Sequence, residues 1–217
     1  MSHFVVYVFG ENVEELLAPY DENIEMSPYV EYTRAQAIAE SKRRMEDYKN
    51  GTYAEYLEDP EAYKERYGCS EEDAHIKYLK NEFPKHLEWT DDEHYEDMAQ
   101  WYKENDMIDD DGNLLSTYNP NSKWDWWSID GRWQGCLKLT TGHEVNEANA
   151  YEVDWDKTPS PFAFITPDGE WHEKGNMGWW AIVTNEKAKD DWETEYRNAV
   201  KALADEDICV TVVDCHI

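Results

Sequence analysis

"HFVVYVFG" (residues 3–10) sets six consecutive β-branched and aromatic residues between a histidine and a glycine. A run without polar alternation marks a strand buried on both faces, so it predicts a central strand. "DICVTVVDCHI" (residues 207–217) has the same character and predicts a final strand. Before it, "GWWAIVTN" (residues 178–185) reads as a strand and "DDWETEYRNAVKAL" (residues 190–203) as an amphipathic helix. A right-handed crossover would make the two strands of this strand, helix, strand unit parallel in one sheet. Two hairpins are signalled as well. "WDWWSI" and "RWQGCLKL" flank Asp130-Gly131, which specifies a two-residue type I′ turn, and "FAFIT" and "EWHEKG" flank Pro167-Asp168-Gly169. Together these elements predict an α+β fold with an antiparallel or mixed sheet, ferredoxin-like in arrangement.

Between the first and second strands of that sheet runs a helical stretch, residues 33–105. Thr33 with Gln36 and Thr90 with Glu93 form capping boxes, Asp59-Pro60 supplies a cap and a first-turn proline, and Gly68 supplies a stop. A further start is expected at Ser70, and the first helix is expected to end at Asn50-Gly51. Tyrosines recur from Tyr48 to Tyr78 at roughly helical spacing, followed by Trp89 and Trp101; they read either as an inward face or as a partner-docking surface. After Met107 the chain turns polar. Asp109, Asp111 and Asn113 resemble the start of a calcium loop, but the glycine comes early and no glutamate closes it, so a tight turn is expected. The chain of 217 residues thus reads as a single α+β domain, 1–217, containing an acidic helical insertion, 33–105.

With 49 acidic and 20 basic residues the formal charge is −29, which opposes binding to phosphate backbones and to anionic membranes. Of these, 30 acidic and 11 basic residues fall within the first 115 positions. The charge serves solubility, or it imitates DNA or docks on a basic protein; direct nucleic-acid binding and membrane association are not expected. Eleven Trp, 15 Tyr and five Phe supply area for a folded core despite that charge. Cys69, Cys136, Cys209 and Cys215 make neither a metal knuckle nor a disulfide framework, and neither a signal peptide nor a membrane-spanning run is read, so a cytoplasmic protein with reduced thiols is expected.

Alternation across the expected Asp-Gly hairpin sorts its tryptophans. Trp124, Trp126 and Trp133 would share a core face with Leu137 and Leu139, while Asp125, Trp127, Ile129, Arg132 and Gln134 share the other. There Arg132 could clamp a carboxylate or phosphate beside Trp127, or simply pair with Asp125. His172, Trp179 and Trp180 form a second polar and aromatic cluster, suited to a planar base or else an exposed strand end. If the first and last strands pair antiparallel, His3 and His216 meet, with Asp214 on the face of His216. Such a set could hold zinc or another metal, or could be hydrogen-bonded strand ends. Cys215 and His216 are not a dyad, since neighbouring strand residues point to opposite faces. Phosphate loops, nucleophile elbows and zincin motifs are not found, and no cofactor is implied.

"MSHFVVYVFGENVEELLAPYDEN", "YNPNSKWDWWSIDGRWQG", "FITPDGEWHEKGNMGWWAIV" and "TVVDCHI" together resemble a family of proteins encoded by bacteriophages and prophages, chiefly of Firmicutes. Asp130 stands where that family has glycine, a change the same turn accommodates. The resemblance implies a phage setting and carries over no activity. In that setting the leading expectation is a non-enzymatic binding protein that counters host defence by sequestering a small nucleotide-like signal on Trp127, Arg132, His172, Trp179 and Trp180, as a homo-oligomer. A second expectation is an acidic inhibitor of a host defence protein. A third is a metal-dependent hydrolase using His3, Asp214 and His216.

Overall fold

The computed structural model describes residues 2–129, 131–204 and 207–217, with Trp179 described by its backbone only. From the N-terminus, β1 (His3–Phe9) leads through α1 (Val13–Leu17) to β2 (Tyr29–Tyr32). Six helices follow: α2 (Arg34–Tyr48), α3 (Ala54–Glu58), α4 (Pro60–Tyr67), α5 (Ala74–Lys77), α6 (Phe83–His86) and α7 (Asp91–Glu104). Next come the strands β3 (Leu114–Ser116), β4 (Trp126–Ser128), β5 (Leu137–Lys138), β6 (Glu144–Val145), β7 (Glu147–Asn149), β8 (Ala163–Ile165) and β9 (Trp171–Glu173). The chain ends with β10 (Asn176–Met177), β11 (Val183–Thr184), α8 (Lys189–Leu203) and β12 (Cys209–His216). It is a mixed α+β fold in two compact units, one of Met1–Glu25 with Tyr118–Ile217 and one of Met26–Thr117. No described helix is long and apolar enough to cross a membrane.

The first unit is built on a mixed sheet in the order β4-β12-β1-β8-β9, with β7 paired to the other half of β12. β1 runs antiparallel to β12 along its whole length and parallel to β8. Both faces of the central strands are covered, which is why their sequences are nearly continuous apolar runs. On one face Tyr7, Phe9, Phe164, Val210 and Val212 receive α8, whose Trp192, Tyr196 and Val200 follow one another at four-residue spacing. The Trp192 indole is buried, and its N–H donates to the Pro161 carbonyl at 2.9 Å. On the other face Phe4, Val6, Val8, Ala163, Ile165, Val213 and Cys215 pack with Leu17 of α1 and with Trp124. The Pro-Asp-Gly hairpin forms as expected, β8 with β9, with Gly169 at φ 86°.

Two strand expectations are overturned. β4 does not pair with the segment after Gly131: residues 132–135 form a turn, and β4 instead lies antiparallel on β12, Trp127 opposite Cys215. The local Asp-Gly signal loses to a partner strand some ninety residues away whose apolar faces need cover; Asp130 itself lies outside the described residues. Residues 178–185 are not a strand of the main sheet either. Trp180 and Ala181 have left-handed backbones (φ 62° and 56°), and among the described residues β11 pairs only with β10. Ser2 explains the distortion: its hydroxyl donates to the Gly178 carbonyl (2.9 Å) and accepts the Ala181 N–H (2.6 Å). The expected parallel unit around α8 therefore does not form, and β12 is antiparallel to β1, β4 and β7.

In the second unit both capping boxes, the Asp59 cap and the left-handed Gly68 stop are present. Asn50-Gly51 does not end the first helix; a π-helical turn, Lys49–Tyr53, carries the backbone on into α3. Helix α5 starts at Ala74 rather than at Ser70, whose N–H and hydroxyl both donate to the Asp73 carboxylate and close a turn. Asp109 likewise organises the tight turn before β3, accepting the N–H groups of Asp111 and Asn113. Tyr56 and Tyr63 are inward, packed on Ile76 and Leu79, whereas Tyr67 is exposed. Charge is spread evenly: residues 26–117 hold 24 acidic and 11 basic side chains, net −13, which leaves −16 for the first unit.

Candidate functional site

The register of β1 on β12 sets His3 opposite His216, and alternation along β12 puts Asp214 on the same face. Two histidine–carboxylate couples result. His3 Nδ1 lies 3.0 Å from Asp214 Oδ1, and His216 Nδ1 lies 2.6 Å from Asp125 Oδ1. Asp125 is brought in by the β4–β12 pairing, its N–H donating to the His216 carbonyl at 2.9 Å. Carboxylates accept only, so each Nδ1 carries the hydrogen of its bond and each ring directs Nε2 away from its aspartate. The two imidazoles meet edge to face with centroids 4.9 Å apart, and the Trp126 indole lies 6.4 Å from His3.

Asp214 is almost fully enclosed, 2 % exposed, and its second oxygen accepts the Arg132 N–H at 2.8 Å. Gly131 permits that approach. A Cβ there would fall 2.2 Å from Asp214. His216 is 9 % exposed, and its buried Nε2 has no hydrogen-bond partner among the described residues.

The side chains expected to form a Trp/Arg-lined pocket are not brought together. Trp127, opposite Cys215, packs on the α1 side of the sheet, the face away from the histidines. His172 sits on β9 at the far edge, stacked on Phe164 at 4.6 Å with Nδ1 3.4 Å from Glu195. Four strand spacings separate β4 from β9, about 19 Å at the usual interstrand distance. Trp180 is 78 % exposed on the turn held by Ser2, and the Trp179 side chain lies outside the described residues. Arg132 is exposed, and its guanidinium has no ion-pair or ring partner among the described residues. Trp124 is buried and Trp133 partly so, as structural residues should be, but Trp126, assigned to the core, is 52 % exposed. Asp125 and Trp126 are the site residues that sequence reasoning missed; recognising β4 as the partner of β12 would have found both.

The metal expectation for His3, Asp214 and His216 is not met. They do converge, but each Nδ1 is turned to a carboxylate rather than to a shared point. Among the described residues no group of three or more His, Cys, Asp or Glu side chains is arranged to hold a metal ion. What the arrangement offers is two imidazoles oriented through Nδ1, each with Nε2 as a hydrogen-bond acceptor, beside an exposed indole and the Arg132 segment. Comparison with protein-family models, curated proteins and solved structures finds no match.

Proposed function

We propose that the histidine end of the sheet binds a small planar ligand bearing a phosphate, and that in the phage setting implied by the resemblance the protein sequesters a nucleotide-like host signal. The observation that carries this reading is the unpartnered, buried Nε2 of His216 on a ring already fixed by Asp125. An unsatisfied buried polar atom costs about 1–3 kcal/mol, which a ligand hydroxyl or N–H donating to it would relieve. Trp126 supplies a surface for stacking, and Arg132 a guanidinium free to clamp a phosphate. Asp125 and Asp214 are each engaged by a histidine Nδ1, which leaves the Arg132 guanidinium as the cation for the phosphate. Calorimetry against cyclic and ADP-ribose-type nucleotides tests this. Binding heat is expected, weakened at least tenfold (about 1.4 kcal/mol) by Arg132→Ala and by His216→Gln. No heat with any nucleotide, or binding indifferent to both substitutions, refutes it. Native mass spectrometry of the same samples reads the proposed homo-oligomer.

A second reading, an acidic inhibitor of a basic host protein, is favoured by one observation. All 11 basic side chains of residues 26–117 are in ion pairs, so the net −13 there is unrelieved by a free cation. On that reading the complex with the host protein dissociates as salt rises and is unaffected by Arg132→Ala.

A further inference from the structure

The second unit carries a groove of about 410 Å³ formed by α2, α6, α7 and the π-helical turn Tyr78–Glu82. Its walls are aromatic: Tyr48, Tyr78, Phe83 and Trp89. The first three rings meet at 53° to 72° rather than face to face, and His86, which also borders the groove, stacks on Trp89 at 4.1 Å. Asp97 also borders it; its carboxylate accepts the Ser41 hydroxyl at 3.3 Å and has no ion-pair partner among the described residues. Arg44, the guanidinium on the wall, is bonded to Glu40 at 2.8 Å and shares it with Arg43, which also pairs with Asp47, so two carboxylates balance the two guanidiniums.

We propose that this groove binds the methylated ammonium head of a small organic cation. Aromatic faces attract a cation through the ring quadrupole, and one carboxylate at the border balances its charge. A metal ion would need several oxygen ligands, which the rings do not supply. A primary ammonium would need three acceptors, whereas a methylated head needs none and presents only polarised methyl groups to the rings. The surplus of acid in this unit adds long-range attraction of the same sign.

The test uses the full chain, with choline as the cation and 3,3-dimethyl-1-butanol as its neutral isostere, followed by calorimetry and by the Trp89 indole N–H signal. Choline is expected to shift that signal and to bind at least about tenfold more tightly than the isostere. Asp97→Asn, which keeps the Ser41 hydrogen bond, is expected to weaken choline about fivefold and to leave the isostere unchanged. His216→Gln should change neither, which separates this site from the histidine end of the sheet. Equal binding of choline and isostere, an unaffected Asp97→Asn variant, or an unmoved Trp89 signal at about 50 mM choline overturns the proposal.

Discussion

Gly131→Ala tests the geometry at the histidine end of the sheet with a single methyl group. The added Cβ would stand 2.2 Å from both Cβ and Oδ2 of Asp214 and 2.6 Å from its Cγ. Non-bonded carbons rest about 3.5–4.0 Å apart, so the overlap exceeds about 1.3 Å and something must move. Asp214 cannot retreat freely, because it is enclosed and holds both His3 and the Arg132 N–H. Overpacking strain of about 1–3 kcal/mol then adds to about 1–3 kcal/mol for a buried carboxylate that loses a hydrogen bond. The expected destabilisation is about 2–6 kcal/mol, enough to lower a urea midpoint by roughly 1 M or more. Gly51→Ala is the internal control, since nothing lies within 4 Å of its added Cβ. In that helical turn alanine is expected to gain about 0.5–1 kcal/mol. A Gly131→Ala variant that unfolds at the wild-type midpoint would refute the placement of this turn against Asp214.

Three further outcomes are expected. Trp192→Ala removes the largest side chain joining α8 to the sheet and should cost about 3–5 kcal/mol in urea unfolding, with loss of near-ultraviolet dichroism from the first unit. Hydrogen bonds from Arg43, and then from Arg44, hold the Glu40 carboxyl down at about 2 against an ordinary value of 4.5. That contact therefore contributes fully above pH 4.5 and is lost as the pH falls toward 2, so carboxyl NMR should show Glu40 titrating well below 4.5. Burial lowers His94 below the ordinary imidazole value of 6.5, so the unfolded chain takes up a proton first as the solution is acidified. The second unit should be fully stable above that value and weaken below it; hydrogen exchange in α2 and α7 at pH 7.5 and pH 5 measures the change, which His94→Gln should reduce.

Much of the local structure is legible in the sequence because its causes are local. The boxes at Thr33 and Thr90, the Asp59-Pro60 start, the Gly68 stop and the Pro-Asp-Gly hairpin each depend on side chains within a few positions of the backbone they satisfy. The His3–His216 meeting was also legible, since two apolar strands at the chain ends fix their own register once paired antiparallel. What escaped depends on distant partners. The Trp-rich segment carries a strong turn signal, yet its strand is claimed by β12, which reverses the faces of Trp126 and Trp127 and delivers Asp125 to His216. The apolar run at residues 179–183 looks like a strand until the Ser2 hydroxyl, at the other end of the chain, bends it into left-handed backbone. Nor does composition distinguish a tyrosine in a core from one on a groove; Tyr56 and Tyr78 differ in what the π-helical turns place beside them.

The most direct measurement is nitrogen NMR of protein labelled at histidine, titrated with a nucleotide and, separately, with the matching nucleoside lacking phosphate. The nucleotide is expected to move the ring nitrogens of His216 and His3 together, while His172, held between Phe164 and Glu195 at the far edge of the sheet, stays in place. Binding reported elsewhere in the protein while the His216 ring signals remain unmoved would contradict a ligand site at this end of the sheet.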